Sequence, residues 1–330
     1  MSRFLSPHAQ LITGDLRDRA AVASALVGVD VVFHQAGMVG NGQSMYELHQ
    51  YIDVNAGGTA ILMEEVLRRR DRVSRVIAAS SMVVYGEGAY RCEEHGDVFP
   101  GLREEMDLAC RRWEAHCPRC GSEVAPRATT EDSPLRPTSP YAISKRDAEE
   151  LVLVSGRAHG VATVALRYLN IYGPRQALSN PYTGVAALFC TRLLGGRRPL
   201  VFEDGGQLRD LTHVSDIVRA NLLALDAPGV VGRAINVGTG TPLAVADLAT
   251  QLAHALGRVD LPPDITGEYR AGDVRHCWAD DTVARTLLDY RAITDRRAGL
   301  SELAEWVMTE RPVDRTEQAI AELRRRGLVG

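Results

Sequence analysis

Four short apolar runs alternate with stretches of helical periodicity in this chain, and that alternation limits its fold more than any other feature. Asp30-Val-Val-Phe33, Arg75-Val-Ile-Ala-Ala79, Ala162-Thr-Val-Ala-Leu-Arg-Tyr168 and Ala234-Ile-Asn-Val237 read as strands. Helical patterns lie between them, over residues 19–27, over a stretch containing Tyr51-Ile-Asp-Val-Asn55 that runs on to Arg69, and around Tyr141. Strands that are apolar on both faces have to be covered on both faces. The pattern therefore predicts an α/β fold with a doubly wound parallel sheet. Ligands of such sheets sit beyond the carboxyl ends of the strands. His34-Gln-Ala-Gly37 and Ser80-Ser81-Met-Val-Val-Tyr85-Gly86 both fall there.

Further elements are read more briefly. Residues 10–16 read as a short strand ending in a turn, and 200–202 as another strand. Residues 184–194 and 245–256 read as helices, and a third helix runs to Leu225 with Ser215 or Asp216 as its cap. Residues 265–280 are mostly extended, and the chain ends in helix, with the basic cluster 322–326 on a solvated face. The 330 residues suffice for one large α/β unit or two domains. A net charge of −4 gives no reason to expect nucleic acid or an anionic membrane as partner. No run of eighteen apolar residues exists and the first residues lack an apolar signal core, which points to the cytoplasm.

Tyr141-Ala-Ile-Ser-Lys145 carries the chemistry. Of 38 basic residues, Lys145 is the only lysine. Arginine serves everywhere else, so this position is one where a compact ammonium of tunable pKa is needed. Tyr141 lies one helical turn earlier on the same face. A cation beside a phenol favours the phenolate, lowering its pKa from about 10 and making a general base for an alcohol proton. Ser81, at a strand end, is the third candidate catalytic group. Its hydroxyl can hold a substrate oxygen against the phenol.

Residues 87–130 interrupt the alternation with a polar, cysteine-rich insertion. Four of the six cysteines lie between Cys92 and Cys120. Cys92-Glu-Glu-His95-Gly and Cys117-Pro-Arg-Cys120-Gly are two ligand pairs 21 residues apart, each followed by the glycine a tight knuckle needs. That spacing fits a tetrahedral structural zinc site made by Cys92, His95, Cys117 and Cys120, with Cys110 and His116 as rival ligands. Metal binding would supply folding energy to a segment with little core of its own.

Taken together, these residues resemble one family over nearly the whole chain: the extended short-chain dehydrogenases/reductases that act on nucleotide-diphosphate sugars. The resemblance rests on Gly14-Asp15-Leu16, His34-Gln-Ala-Gly37, Val54-Asn55-Ala-Gly-Gly-Thr59, Ser80-Ser81-Met-Val-Val-Tyr85-Gly86 and Pro140-Tyr141-Ala-Ile-Ser-Lys145. It extends through Arg167-Tyr-Leu-Asn170-Ile-Tyr-Gly-Pro174, Arg209-Asp-Leu-Thr-His213-Val and Asn236-Val-Gly-Thr-Gly240. It implies a Rossmann-like sheet, NAD as cofactor and a smaller C-terminal substrate domain. Residues 1–175 would form the NAD-binding unit, with residues 176–330 mainly substrate-binding and 210–240 returning to the sheet. Tyr141 would be the base, Lys145 would hold the nicotinamide ribose, and Ser81 would bond the reacting sugar oxygen. Asp15, Leu16, Ala36, Gly37 and Tyr168 look like dinucleotide contacts. Asn170 and Arg209 resemble positions that grip the nucleotide diphosphate, as does Arg270, with Asp273 at the nucleoside end.

Within this family the residues after the serine discriminate reactions. A 4,6-dehydratase resembles Thr-Asp-Glu there, whereas Met82 and Val83 transfer no protons. The implied activity is a nucleotide-sugar 4-epimerase on a dTDP- or UDP-hexose. The Cys-Pro-x-Cys-Gly insertion resembles that of dTDP-L-rhamnose 4-epimerases. Family members are often homodimers through a helix pair that would include the Tyr141 helix. One departure is plain: the G-x-x-G-x-x-G turn that cradles the dinucleotide pyrophosphate is absent, together with the first β-α-β. Either the true start lies upstream or the chain is a natural remnant. A nucleotide-sugar reductase, and an inactive nucleotide-sugar-binding remnant, stand as alternatives.

Overall fold

Val31–His34 (β1), Arg75–Ser81 (β2), Ala162–Tyr168 (β3) and Arg233–Val237 (β4) form a parallel sheet in which chain order is also spatial order. These are the four apolar runs. The computed structural model describes residues 4–182 and 184–330. Successive side chains of a strand point to opposite faces, and β2 shows both being covered. Val76 and Ala78 pack into a cluster with Val22, Met63, Val66 and Val152 from the helices Arg19–Ala25, Gly58–Leu67 and Pro140–His159. Ile77 points the other way, into a cluster with Ile217, Ala220 and Ala284 from Val214–Asp226 and Thr282–Leu288. The sheet is doubly wound, as its apolar strands require.

The Pro140–His159 helix starts and stops where its sequence says. Ser139 caps it by accepting from Ala142 N, Pro140 stands in the first turn, and Gly160 ends it in the left-handed region at φ 72°. Two expectations need correction. Residues 10–16 are extended but pair with no strand among the described residues, and Leu11 and Ile12 are exposed. Without a neighbour to exchange ladder hydrogen bonds, a β-prone run is not a strand. The helix Val214–Asp226 is capped by His213, whose side chain accepts from Ser215 N. Asp216 is instead buried and receives the backbone N–H groups of Ile293 and Thr294.

A second layer stands against the carboxyl ends of the sheet. Leu208–His213 pairs in parallel with Asn170–Tyr172 and His276–Cys277, and antiparallel with Pro242–Ala244. Helices Val185–Leu194, Val245–Ala255 and Arg296–Thr309 pack over it around Phe189, Leu193, Leu252 and Leu303. The insertion forms its own antiparallel sheet of Ala89–Cys92, Gly96–Val98 and Ala125–Arg127, with a core of only Tyr90, Cys92, Val98, Ala115, Cys117 and Val124. Glu87 fastens it down, its carboxylate accepting from the backbone N–H of Arg275 and His276 at 2.9 Å each. No helix of the described residues is long and apolar enough to cross a membrane.

Candidate active site and metal centre

The Pro140–His159 helix packs along β2 and β3, and its buried face carries Tyr141, Lys145 and Glu149, one turn apart each time. Ser81, the last residue of β2, stands close enough to Tyr141 for its hydroxyl to pull the phenol's pKa down. The Lys145 ammonium donates to the Ala79 carbonyl at 2.5 Å. Thus Ser81, Tyr141 and Lys145, 64 residues apart in sequence at the widest, converge where a parallel sheet places ligands.

A buried network holds this stripe from below. Both Glu149 oxygens take the Arg167 guanidinium, at 2.6 and 3.0 Å, and one also accepts from Ser80 Oγ at 2.5 Å. Arg167 goes on to Tyr85 Oη at 2.8 Å, and Tyr85 donates to Asn236 Oδ1 at 2.7 Å. Asn55 locks the near side. Its amide accepts from Met38 N, donates to Met38 O, and donates to Ser144 Oγ at 2.9 Å. Asn55 sits in a π-helical turn, Ile52–Gly57, inserted between Leu48–Tyr51 and Gly58–Leu67. Such turns are frequent at functional sites because they re-aim side chains. Neither Asn55 nor Glu149 stands out by residue type. The Val54-Asn55-Ala-Gly-Gly-Thr59 motif was a signal for the first, and the turn spacing from Tyr141 and Lys145 for the second.

The electrostatics differ from the simple picture of a lysine lowering a tyrosine. Burial pushes the Tyr141 phenol up to about 12, with the Ser81 hydrogen bond pulling the other way. Lys145 is brought down to about 8 by burial, against the opposing pull of Glu149. Its ammonium is turned to a backbone carbonyl, so the phenol remains protonated at neutral pH while the lysine remains mostly charged. Burial likewise lowers His34 to about 4, helped by the nearby Lys145. His34 is therefore a neutral ring, bonded to Thr59 Oγ1 at 2.8 Å.

The remaining candidate residues fall into two groups. Ala36 and Gly37 are exposed beyond β1, and a Cβ on Gly37 would stand 2.9 Å from Asn55 Oδ1. Tyr168 ends β3, its hydroxyl bonded to Gln35 and Asn221. Leu16 packs against Gly58, while Asp15 is exposed and paired with Arg17. On the second layer, Asn170 Oδ1 is buried without a partner among the described residues. Arg209 spends its terminal nitrogens on the carbonyls of Leu208, Val274 and Arg275. Arg270 lies over the Phe202 ring and pairs with Asp273 at 2.6 Å.

The insertion brings Cys92, His95, Cys117 and Cys120 together, with one ligand atom of each within 4.8 Å of all the others. Three of the contacts, Cys92 to Cys120, Cys92 to His95 and Cys117 to His95, measure 3.7 Å. A tetrahedron with bonds of about 2.3 Å has edges of about 3.8 Å. The donor set therefore fits a four-coordinate zinc. Gly96 and Gly121 turn the chain after each pair at φ 68° and 72°. Cys110 is exposed and His116 is bridged to Glu123; neither joins the cluster.

A family model described as "NAD dependent epimerase/dehydratase family" matches residues 2–100 and 118–238. The chain belongs to that family. The gap in the match lies inside the insertion. Among curated relatives, dTDP-L-rhamnose 4-epimerase of Burkholderia thailandensis is 29% identical over 93% of this chain and 83% of its own length. UDP-glucose 4-epimerase of Mycolicibacterium smegmatis is 34% identical over 62% of this chain and 65% of its own. Among solved structures, UDP-glucose 4-epimerase of Thermotoga maritima with UDP-glucose superposes with a TM-score of 0.76 at 27% identity, over 92% of this chain and 86% of that one. MoeE5 in complex with UDP-glucose and NAD gives 0.73 at 29% identity, over 93% and 89%.

The single lysine allows a direct test of the site's electrostatics. Lysine-selective ¹⁵N NMR should show one ammonium signal titrating near pH 8 in the folded protein, and near 10.4 in denaturant. Between those values the unfolded chain holds the extra proton, so this group's contribution to stability rises with pH across that window. A folded midpoint near 10.4 would mean that Lys145 is solvated, contrary to the packing described.

Proposed function

We propose that this protein is an NAD-dependent nucleotide-sugar 4-epimerase working on a dTDP- or UDP-hexose through a transient 4-keto sugar. The observation that carries the reading is that Tyr141 and Lys145, buried one turn apart on one helix, meet Ser81 at the end of β2. Relatives that share the family and the fold are named as 4-epimerases of dTDP- and UDP-sugars.

NAD, when bound beyond β1, β2 and β3, supplies a reversible hydride acceptor. The residues at the catalytic end suit it: a buried cation in Lys145, an open backbone at Ala36-Gly37, and the Tyr168 hydroxyl. Everything else is proton handling and orientation by the chain. Ser81 Oγ donates to the sugar's 4-oxygen and holds it near Tyr141 Oη. Tyr141 takes the hydroxyl proton as the carbonyl forms, and returns it after the 4-keto sugar has presented its other face. The Lys145 cation stabilises the phenolate formed in between, which a phenol raised to about 12 requires. Met82 and Val83, apolar and beside Ser81, offer no second acid or base, which speaks against dehydration. On the substrate side, Asn170, Arg209 and Arg270 would meet the diphosphate, and Asp273 the nucleoside.

A second reading is a nucleotide-sugar-binding protein without turnover. Denaturing the purified protein separates the two. Release of NAD in near-stoichiometric amount, with Tyr141→Phe lowering epimerase kcat by about 10²–10⁴-fold, is the expected result. Full turnover by Tyr141→Phe would refute the mechanism, and an NAD-free, inactive protein would favour the second reading. A reductase would consume reduced cofactor stoichiometrically; the epimerase would not.

The cysteine cluster is assigned to a structural zinc held by Cys92, His95, Cys117 and Cys120, which leaves no open position for catalysis. Elemental analysis should find about one zinc per chain, and strong chelation should lower Tm by unfolding the small insertion core. Metal-free protein with an unchanged Tm would remove the assignment.

A cytoplasmic homodimer completes the proposal. Ile143, Leu151 and Val154 are exposed on the outer face of the catalytic helix, next to exposed Leu48 and Ile52 of the helix it packs against. Apolar side chains grouped on paired helices suit a symmetric helical interface. Light scattering should give twice the chain mass, and Val154→Glu should reduce it; a monomeric wild type would overturn this part.

A further inference from the structure

The insertion does more than hold a metal: it reaches into the substrate side through Arg103. This residue lies within 101–117, the stretch that the family model does not match. Its side chain is 4% exposed, and Glu203, its ion-pair partner, is 1% exposed. A guanidinium has five N–H donors. Four are used. Two go to the Glu203 carboxylate at 2.7 and 2.9 Å, one to Trp113 O at 3.1 Å, and one to the carbonyl of Asp273 at 3.1 Å. The fifth, Nε–H, is buried with no acceptor among the described residues.

Arg103 also lines a cavity of about 260 Å³ together with Leu108, Tyr269, Arg270, Asp273 and Val329. The far wall is held by the chain's last residues, since Tyr269 and Gly330 exchange backbone hydrogen bonds and Ala271 N donates to Leu328 O. Arg270, facing the same space, has its charge already paired with Asp273. The cavity thus combines a spare buried donor, a second guanidinium, the carboxylates of Asp273 and Glu105, and an aromatic ring. That is a donor-rich, half-apolar lining that suits a nucleoside diphosphate.

We propose that Arg103 is a positioning residue for the nucleotide end of the substrate, fixing the Arg270–Asp273 loop through the Asp273 carbonyl and offering Nε–H to an acceptor oxygen of the nucleotide. The inference rests on the nucleotide-sugar reading given above and adds to it that the metal-bearing insertion is part of the substrate site. Glu203 is suited to anchoring this arm. It sits at φ 55° between Arg103 and Arg275, and Arg275 in turn binds Glu114 of the insertion and Asp204.

Calorimetric titration of the full-length, metal-replete protein with UDP and with dTDP tests this. Arg103→Met should weaken the nucleotide that binds best by about tenfold or more, the scale of a lost charged hydrogen bond. Arg103→Lys should recover part of the loss, since one ammonium can replace one bond but not the fork. In turnover the loss should fall on KM rather than kcat. Because Arg103→Met strands the Glu203 charge, Arg103→Met/Glu203→Gln serves as the variant that keeps the fold. Wild-type affinity in a folded Arg103→Met or double variant would overturn the role of Arg103 alone. A wild type that binds neither nucleotide would overturn the nucleotide-sugar reading and this inference with it.

Discussion

The buried Glu149 carboxylate organises the catalytic half of the molecule. Removing one partner of a buried ion pair costs about 3–5 kcal/mol, because the other charge is left without compensation. Glu149 and Arg167 are both nearly inaccessible, and each has further partners that fix its direction. Glu149 is on the helix; Arg167 is on β3; Ser80 is on β2. The pair therefore ties the helix to two strands at one depth. The register of Tyr141 and Lys145 over Ser81 follows from that, since both lie on the same helical stripe as Glu149. A helix free to slide by one residue would turn the stripe away by about 100°.

The same burial that fixes the stripe sets its chemistry. A phenol driven up to about 12 and a lysine brought down to about 8 are both consequences of a dry site. A phenolate at Tyr141 would depend on a cation close by, and Lys145 is the only lysine in the chain to provide one. Packing density and reactivity have one cause here.

The insertion shows the opposite economy. Its contiguous apolar cluster is six residues, too few to hold a segment of this length by burial alone. Its order comes from charges and a ligand cluster: Glu87 on two backbone amides, Arg103 on Glu203, Glu114 on Arg275 and His276, and four metal-type donors at tetrahedral spacing. These contacts land on the second layer and its loops, near Arg209, Arg270 and Asp273.

The sequence by itself determined the parallel sheet, because strands such as Arg75–Ser81 are apolar on both faces and have no other way to be covered. It also determined the tyrosine–lysine pair, through a residue count and an i, i+4 spacing, and the four ligands of the cluster, through their two-pair spacing and the glycines after each pair. Both are local patterns, legible without contacts. What only the tertiary structure decided depends on partners far apart in the chain. Residues 10–16 have strand-like composition, yet they pair with no strand among the described residues. Tyr141 looks activated by its neighbour in sequence, yet burial by distant segments raises its pKa. Asp216 looks like a cap, yet Ile293 and Thr294 claim it. Arg103 is one arginine among many until the fold brings Glu203 and Asp273 to it. Periodicity and spacing report what each residue does with its own segment. Long-range burial and hydrogen bonding depend on what arrives from elsewhere, which no local pattern encodes.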